Sequence, residues 1–247
     1  MYRFIKHIPN FITSLNLVSG SLALTFALDG NLLQAGLFIC LAAIFDFLDG
    51  FAARWLKAYS ETGKQLDSLG DLVSFGLAPA SILFMLLEFS LFGKHQPLTE
   101  ISASWSQWLI LISPLIMPIM GALRLARFNA GPDENFFRGL PIPANGLFWA
   151  SLGLMSDYSV HNQWVDFLYS PTALWLLGLF TSGVMVINLP MFSLKFSSLN
   201  LKENWYRYIF LAIALILLAI FHVYGLALTI LSYIFLSSIF FWSGVKY

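Results

Sequence analysis

Four aspartates carry the chemistry that this sequence can be read to perform. Asp46 and Asp49 lie in the apolar stretch LAAIFDFLDGFAARW, and Asp67 and Asp71 in GKQLDSLGDLVSFG. At about 100° per residue, Asp46, Asp49, Gly50 and Ala53 fall within roughly a 100° arc of one helix. Gly63, Asp67 and Asp71 recur four residues apart and stack along one stripe of the next helix, with Ser74 and Ala78 continuing that face. The connector from Lys57 to Gln65 is short and polar, so the two helices are expected to be antiparallel neighbours whose four carboxylates converge near one end. Four negative charges at close range cannot all stay ionised without cations, and Arg54 alone is not enough. Hard divalent ions, Mg²⁺ or Mn²⁺, suit carboxylate oxygens. Two such ions would balance the charge, and a pair about 3.5–4 Å apart is a clamp for phosphoryl-type displacement. Gly50 and Ala53 leave room for a ligand to approach the backbone, and Arg54 suits a diphosphate. Helix capping and pairing with Lys57, Lys64 and Arg54 would explain Asp67 at a helix start. It does not explain Asp46 and Asp49, which lie too deep in their segment.

The elements that must hold these residues are membrane helices. Of 247 residues, 58% are apolar and only 11% are charged, less than half of the roughly 25% found in soluble domains. Mean hydropathy is +0.76. A soluble enzyme and a disordered chain are both excluded on these grounds. A nucleic-acid binder would need a basic excess, and the net charge is +0. The fold class is therefore all-α, a polytopic membrane helical bundle. Eight spans are expected, at about 11–28, 32–56, 67–92, 107–127, 143–156, 172–190, 206–222 and 225–243. The fifth is short for a hydrocarbon core roughly 30 Å thick. The first follows Asn10 directly and lacks an obvious cleavage site, so it is expected to be a span and not a signal peptide. The lone cysteine, Cys40, can form no internal disulfide.

Lys and Arg placement orients the bundle. With eight spans, twelve of the 13 basic residues fall on the side of the termini, and only Lys94 falls on the other. The rich side is then cytoplasmic, with the acidic quartet near it. Trp105, Trp108, Trp164, Trp175 and Trp205 fall near span ends, where an interfacial belt belongs.

Weaker candidates surround the quartet. Asn10, Thr13, Asn16 and Gly20 recur at helical spacing on the first span and would face a nucleotide or diphosphate; interhelical packing is the alternative. Arg124 and Arg127 end the fourth span three residues apart and could share one cavity. Their bidentate geometry suits a carboxylate, and Asn129, Arg138 and the turn Gly139-Leu140-Pro141 could complete the pocket. Positive-inside anchoring competes with that reading. His7, His95, His161 and His222 are scattered and make no metal site. Glu88 is expected to snorkel to the external interface.

The arrangement Asp46-x-x-Asp49-Gly50-x-x-Ala53-Arg54, eight residues, then Gly63-x-x-x-Asp67-x-x-x-Asp71 resembles the signature of the CDP-alcohol phosphotransferases, with all eight fixed positions present. The stretches from Pro9 to Gly20, Arg124 to Asn129 and Phe137 to Ala144 resemble the membrane-integral phosphatidylserine synthases within that family. The resemblance implies a single integral membrane domain over 1–247. It has a six-helix catalytic core at about 8–190, two further helices at about 205–243, and usually a homodimeric assembly. It implies transfer of a phosphatidyl group from CDP-diacylglycerol to L-serine, with CMP leaving, at the cytoplasmic face of a prokaryotic inner membrane. By resemblance, Asp46, Asp49, Asp67 and Asp71 bind the two metals and Asp71 matches the general base. Gly50, Ala53, Arg54, Ser60 and Gly63 would line the nucleotide site with Asn10, Thr13 and Asp67. Arg124, Arg127, Asn129 and Arg138 would receive the serine carboxylate. Two other readings stand beside this one. The acceptor could be glycerol phosphate, inositol phosphate or choline, or the acidic cluster could serve a divalent-cation transporter. The third span becomes apolar after Ser81, apart from Glu88, which disfavours a through-path.

Overall fold

A computed structural model of the chain describes residues 7–131, 137–156, 163–192 and 200–243. Helix α1 (Ile8–Leu28) and α2 (Leu32–Trp55) form an antiparallel pair, with Pro9 in the first turn of α1 and Asn31 capping α2 through the Gln34 amide. A third span runs from Glu61 to Phe92 as α3 (Glu61–Leu72), a π-helical turn (Val73–Leu77) and α4 (Ala78–Phe92). Its 32 residues reach about 48 Å, well beyond a hydrocarbon core of roughly 30 Å. The polar first turns of α3 therefore extend past the apolar layer. This helix starts six residues before the expected boundary at 67, because Ser60 caps it by accepting from the Gly63 amide at 3.0 Å.

The fourth span joins α5 (Trp105–Ile112) through a 3₁₀ turn to α6 (Ile116–Ala130). After β1 (Phe137–Arg138) come α7 (Ile142–Met155), α8 (Gln163–Leu168) and α9 (Pro171–Val186). Strand β2 (Pro190–Met191) pairs antiparallel with β1, a two-residue ribbon in an otherwise helical protein. The helices α10 (Leu201–Phe221) and α11 (Val223–Trp242) close the chain. Among the described residues, six helices are long and apolar enough to cross a membrane. The fifth and sixth expected spans are the shorter α7 and α9.

The shortness of α7 has a packing cause. It is buried on nearly every side, with Phe148 and Trp149 fully enclosed, and it packs against α2, α4, the π-helical turn, α9 and α11. A helix apolar all round belongs in a core, and this one is the core. Polar side chains tie it to its neighbours: Trp149 Nε1 donates to Thr181 Oγ1 on α9, and Ser151 Oγ donates to the Val223 carbonyl on α11.

One expectation is refined and one is corrected. Helix α2 packs against the third span through α4 and the π-helical turn, whereas its contact with α3, the acid-bearing end, is slight. Helix α1 packs against both, as well as against the π-helical turn and α4. The physical reason is non-local: Gly20 lets α1 press onto Ser74, whose Cα would lie 2.6 Å from any added Cβ. Ser74 Oγ then donates to the Asn16 carbonyl at 3.0 Å. Glu88 does not snorkel. It is 0% exposed, accepts from the Gln96 amide at 2.9 Å and meets His95 Nδ1 at 3.1 Å. A buried carboxylate is tolerable when paired and hydrogen-bonded, and here it staples the loop after α4 back onto that helix.

The α1–Ser74 contact yields a direct test. Gly20→Ala should destabilise the detergent-solubilised protein by about 1–3 kcal/mol, the usual cost of overpacking, seen as a lowered Tm. An unchanged Tm would contradict the close approach.

Candidate active site

The gap between α2 and α3 is bridged only by side chains. Three carboxylates, Asp46 and Asp49 from α2 and Asp67 from α3, bring ligand oxygens within 4.8 Å of one another. Asp71 stands one turn deeper than Asp67, within hydrogen-bond reach of Asp46. Asp49 and Asp71 are 6% and 7% exposed. Among the described residues, no Lys or Arg forms an ion pair with any of the four. The buried Asp49 Oδ2 has no hydrogen-bond partner. Buried carboxylates normally have a paired cation or a donor network. Hard oxygen donors at this spacing, two of them on one helix face and one across a gap, fit a divalent metal.

Helix α1 furnishes the floor. Asn16 Nδ2 donates to Asp71 Oδ1 at 3.4 Å, fixing that carboxyl, while Asn16 Oδ1 is buried without a partner. Thr13 is buried, donates to the Pro9 carbonyl at 3.0 Å, and lies against Asp49. Asn10 reaches the start of α3, where a Cβ on Gly63 would meet Asn10 Oδ1 at 2.8 Å and Ser60 Oγ at 3.0 Å. A side chain at position 63 would have to displace the Asn10 or Ser60 side chain there. The face of α2 opposite is open. A Cβ on Gly50 would meet only the Arg54 guanidinium, at 3.5 Å, and Arg54 is exposed, with Ala53 half-buried beside it. A π-helical turn begins two residues after Asp71; such turns shift register by one residue and recur at functional sites.

The predicted carboxylate pocket is drawn from two elements, α6 and β1. Asn129 Nδ2 donates to Ser68 Oγ at 2.8 Å, and Lys64 Nζ reaches the Asn129 carbonyl at 3.5 Å. These bonds clamp the end of α6 onto α3. Arg127 donates to the Val186 carbonyl at 3.1 Å, at the end of α9. Arg138 lies on β1, exposed, across from Pro190. Arg124 alone points inward. It lies within electrostatic reach of Asp71, and its Nε is buried with no hydrogen-bond partner among the described residues.

Several polar residues at this end escaped the sequence reading. Ser68 looked like a plain helix serine. Asn145, in the first turn of α7, is 0% exposed with both amide atoms unpartnered. Its neighbours place it: Ile142 meets Gly121 on α6, and Gly146 meets Phe75 in the π-helical turn. A lone polar residue after Pro-x-Pro-Ala reads as an ordinary turn, and only its burial sets it apart. Tyr233, on α11, lies within electrostatic reach of Arg124, which no local pattern indicated. Of the histidines, His95 is engaged with Glu88, and His161 falls outside the described residues.

Comparison with known proteins adds to this geometry. The sequence profile of the CDP-alcohol phosphatidyltransferase family matches residues 6–182. A CDP-diacylglycerol–serine O-phosphatidyltransferase of Methanocaldococcus jannaschii is 39% identical over 161 residues, covering 65% of this chain and 67% of that protein. An archaetidylserine synthase of Methanothermobacter thermautotrophicus is 35% identical over 156 residues, covering 62% and 60%. A CDP-diacylglycerol–serine O-phosphatidyltransferase of Bacillus subtilis is 35% identical over 143 residues, covering 58% and 72%. The matched stretches thus span about three fifths to seven tenths of these relatives' lengths. The profile match takes in α1, both acid-bearing helices and all four aspartates, and on that ground the chain belongs to the CDP-alcohol phosphatidyltransferase family.

Proposed function

We propose that this protein transfers the phosphatidyl group of CDP-diacylglycerol to the hydroxyl of L-serine, giving phosphatidylserine and CMP. The observation that carries the reading is the meeting of Asp46, Asp49 and Asp67, with Asp71 beside Asp46 and no ion pair to any of the four among the described residues, on a face of α2 left open over Gly50. The names of the relatives supply the acceptor: those in Methanocaldococcus jannaschii and Bacillus subtilis are both serine phosphatidyltransferases.

Asp46, Asp49, Asp67 and Asp71 would hold two divalent cations, Mg²⁺ or Mn²⁺. Bound there, the pair would neutralise the carboxylates and stabilise charge on the diphosphate as CMP departs. Gly50 admits the diphosphate close to the α2 backbone, beneath the Arg54 guanidinium, which suits its oxygens. Asn10, Thr13, Ala53, Ser60 and Gly63 line the nucleotide side, where α1 and α3 begin. The serine hydroxyl attacks the β-phosphorus, and the bond from that phosphorus to the bridging oxygen breaks. The bridging oxygen leaves on CMP. Asp71, held in place by Asn16, takes the hydroxyl proton, acting mainly through position.

The serine carboxylate pairs with Arg124, whose buried Nε lacks an acceptor. An unpaired buried donor is costly, so an incoming carboxylate gains what the empty pocket loses. Arg127, Asn129 and Arg138 form the rim. The same reading sets the reaction at the cytoplasmic face of a prokaryotic cell membrane, on the Lys and Arg asymmetry. It includes a homodimer, on the family resemblance.

Three experiments test it. Purified protein given CDP-diacylglycerol, a divalent cation and labelled serine should release CMP and label the lipid. Turnover with glycerol phosphate, inositol phosphate or choline instead of serine would overturn the acceptor. Asp71→Asn should lower kcat by about 10²–10⁴, the range for a lost general base, with the Tm maintained. An active variant would remove the base assignment. Arg124→Ala should raise the serine KM about 10–100-fold, as expected for a charge-assisted bond worth roughly 1.5–3 kcal/mol. The donor KM should barely move. Equal effects on both substrates would contradict the pocket.

A further inference from the structure

Asn16 stands one turn further along α1 than Thr13 and is 0% exposed. It lies against α3 where that helix carries no side chain: a Cβ on Gly70 would come 3.7 Å from Asn16 Nδ2. Its backbone is fixed as well, because the Asn16 carbonyl accepts from Ser74 Oγ at 3.0 Å. The amide is thus held between Gly70 and Ser74, the two residues that flank Asp71.

The two ends of that amide have different partners. Nδ2 donates to Asp71 Oδ1 at 3.4 Å. A carboxylate only accepts, so the nitrogen faces it and the oxygen is left for another group. Among the described residues, the buried Oδ1 has no hydrogen-bond partner. Nitrogen and oxygen of one primary amide are about 2.2 Å apart, so this unmet acceptor sits beside the group read as the base. A buried acceptor left unpaired carries a desolvation cost that an incoming donor recovers. The diphosphate is not that donor, because its oxygens only accept.

In the reading above, serine places its hydroxyl at Asp71 and its carboxylate on Arg124. One polar group of the amino acid then remains, the ammonium, which only donates. It is borne on the carbon next to the one bearing the hydroxyl, so it falls beside Asp71 whenever the hydroxyl does. A neutral amide oxygen suits it, whereas a further carboxylate there would compete for the divalent cations. We propose that Asn16 is the amino-group receptor of the acceptor pocket, its Oδ1 taking the serine ammonium while its Nδ2 holds Asp71. The inference rests on the reading of serine as the acceptor.

The test compares L-serine with 3-hydroxypropionate, which keeps the hydroxyl and the carboxylate and lacks the amine. Titration calorimetry on the full-length, detergent-solubilised protein loaded with Mn²⁺ should give 3-hydroxypropionate an affinity about tenfold below that of serine, the effect of one charge-assisted hydrogen bond. Asn16→Ala should lower the serine affinity by a similar factor and leave that of 3-hydroxypropionate nearly unchanged. A merely structural role, or one confined to fixing Asp71, would weaken both ligands alike. Mn²⁺ uptake should stay as in the wild type. Equal affinities of the wild type for the two ligands, equal losses in the variant, or Mn²⁺ uptake that falls in the variant and so puts the amide oxygen on a metal, would each overturn this proposal alone. A wild-type protein that binds no serine would overturn the acceptor reading, and this proposal with it.

Discussion

Mutual repulsion among four clustered carboxylates, two of them buried, is the constraint around which this bundle is organised. Left to themselves, such groups would drive α2 and α3 apart or neutralise by taking up protons. The fold answers by packing α2 on the third span through α4 and the π-helical turn and leaving little contact with α3. Helix α1 braces both, with Gly20 against Ser74 and Gly63 against Asn10, so the acid-bearing faces oppose each other across a gap of fixed width. Polar donors on α1 fix the carboxyl orientations without cancelling their charge, and Asn16 on Asp71 is the clearest case. Carboxylates held close and without an ion pair among the described residues are what a divalent-metal centre requires.

The remaining helices serve the same end at longer range. Buried α7 anchors α2 on one side and the π-helical turn beyond Asp71 on the other. The Ser68–Asn129 bond holds the end of α6 against α3, which fixes where Arg124 enters. At the opposite end of the third span, Glu88 with His95 and Gln96 secures α4 far from the chemistry. Rigid elements thus surround the acid quartet, while the face over Gly50 stays open to a ligand.

The acid quartet was legible in the sequence because ionisable residues stand out against apolar spans and because helical spacing is local information. The membrane class was legible for the same reason, whereas eight spans were expected and six helices among the described residues are long and apolar enough to cross, and the third begins at Glu61, before the expected boundary at 67. What escaped was non-local. A short connector between Lys57 and Gln65 indicates nearness, but only the contact of Gly20 with Ser74 shows that α1 intervenes. Glu88 looked like an interfacial carboxylate because its partners, His95 and the Gln96 amide, come from a loop without periodicity. Asn145 and Tyr233 are single polar groups in apolar runs, and a sequence does not say which way such groups face. Asn129 and Arg127 read as pocket residues from their types, whereas their hydrogen bonds also tie helix ends together.

The most direct measurement is Mn²⁺ binding followed by electron paramagnetic resonance on the purified protein. The account predicts two ions per chain with an exchange-coupled spectrum, lost when Asp46 and Asp49 are both changed to Asn. A spectrum of isolated ions, or coupled binding that survives that double substitution, would contradict it.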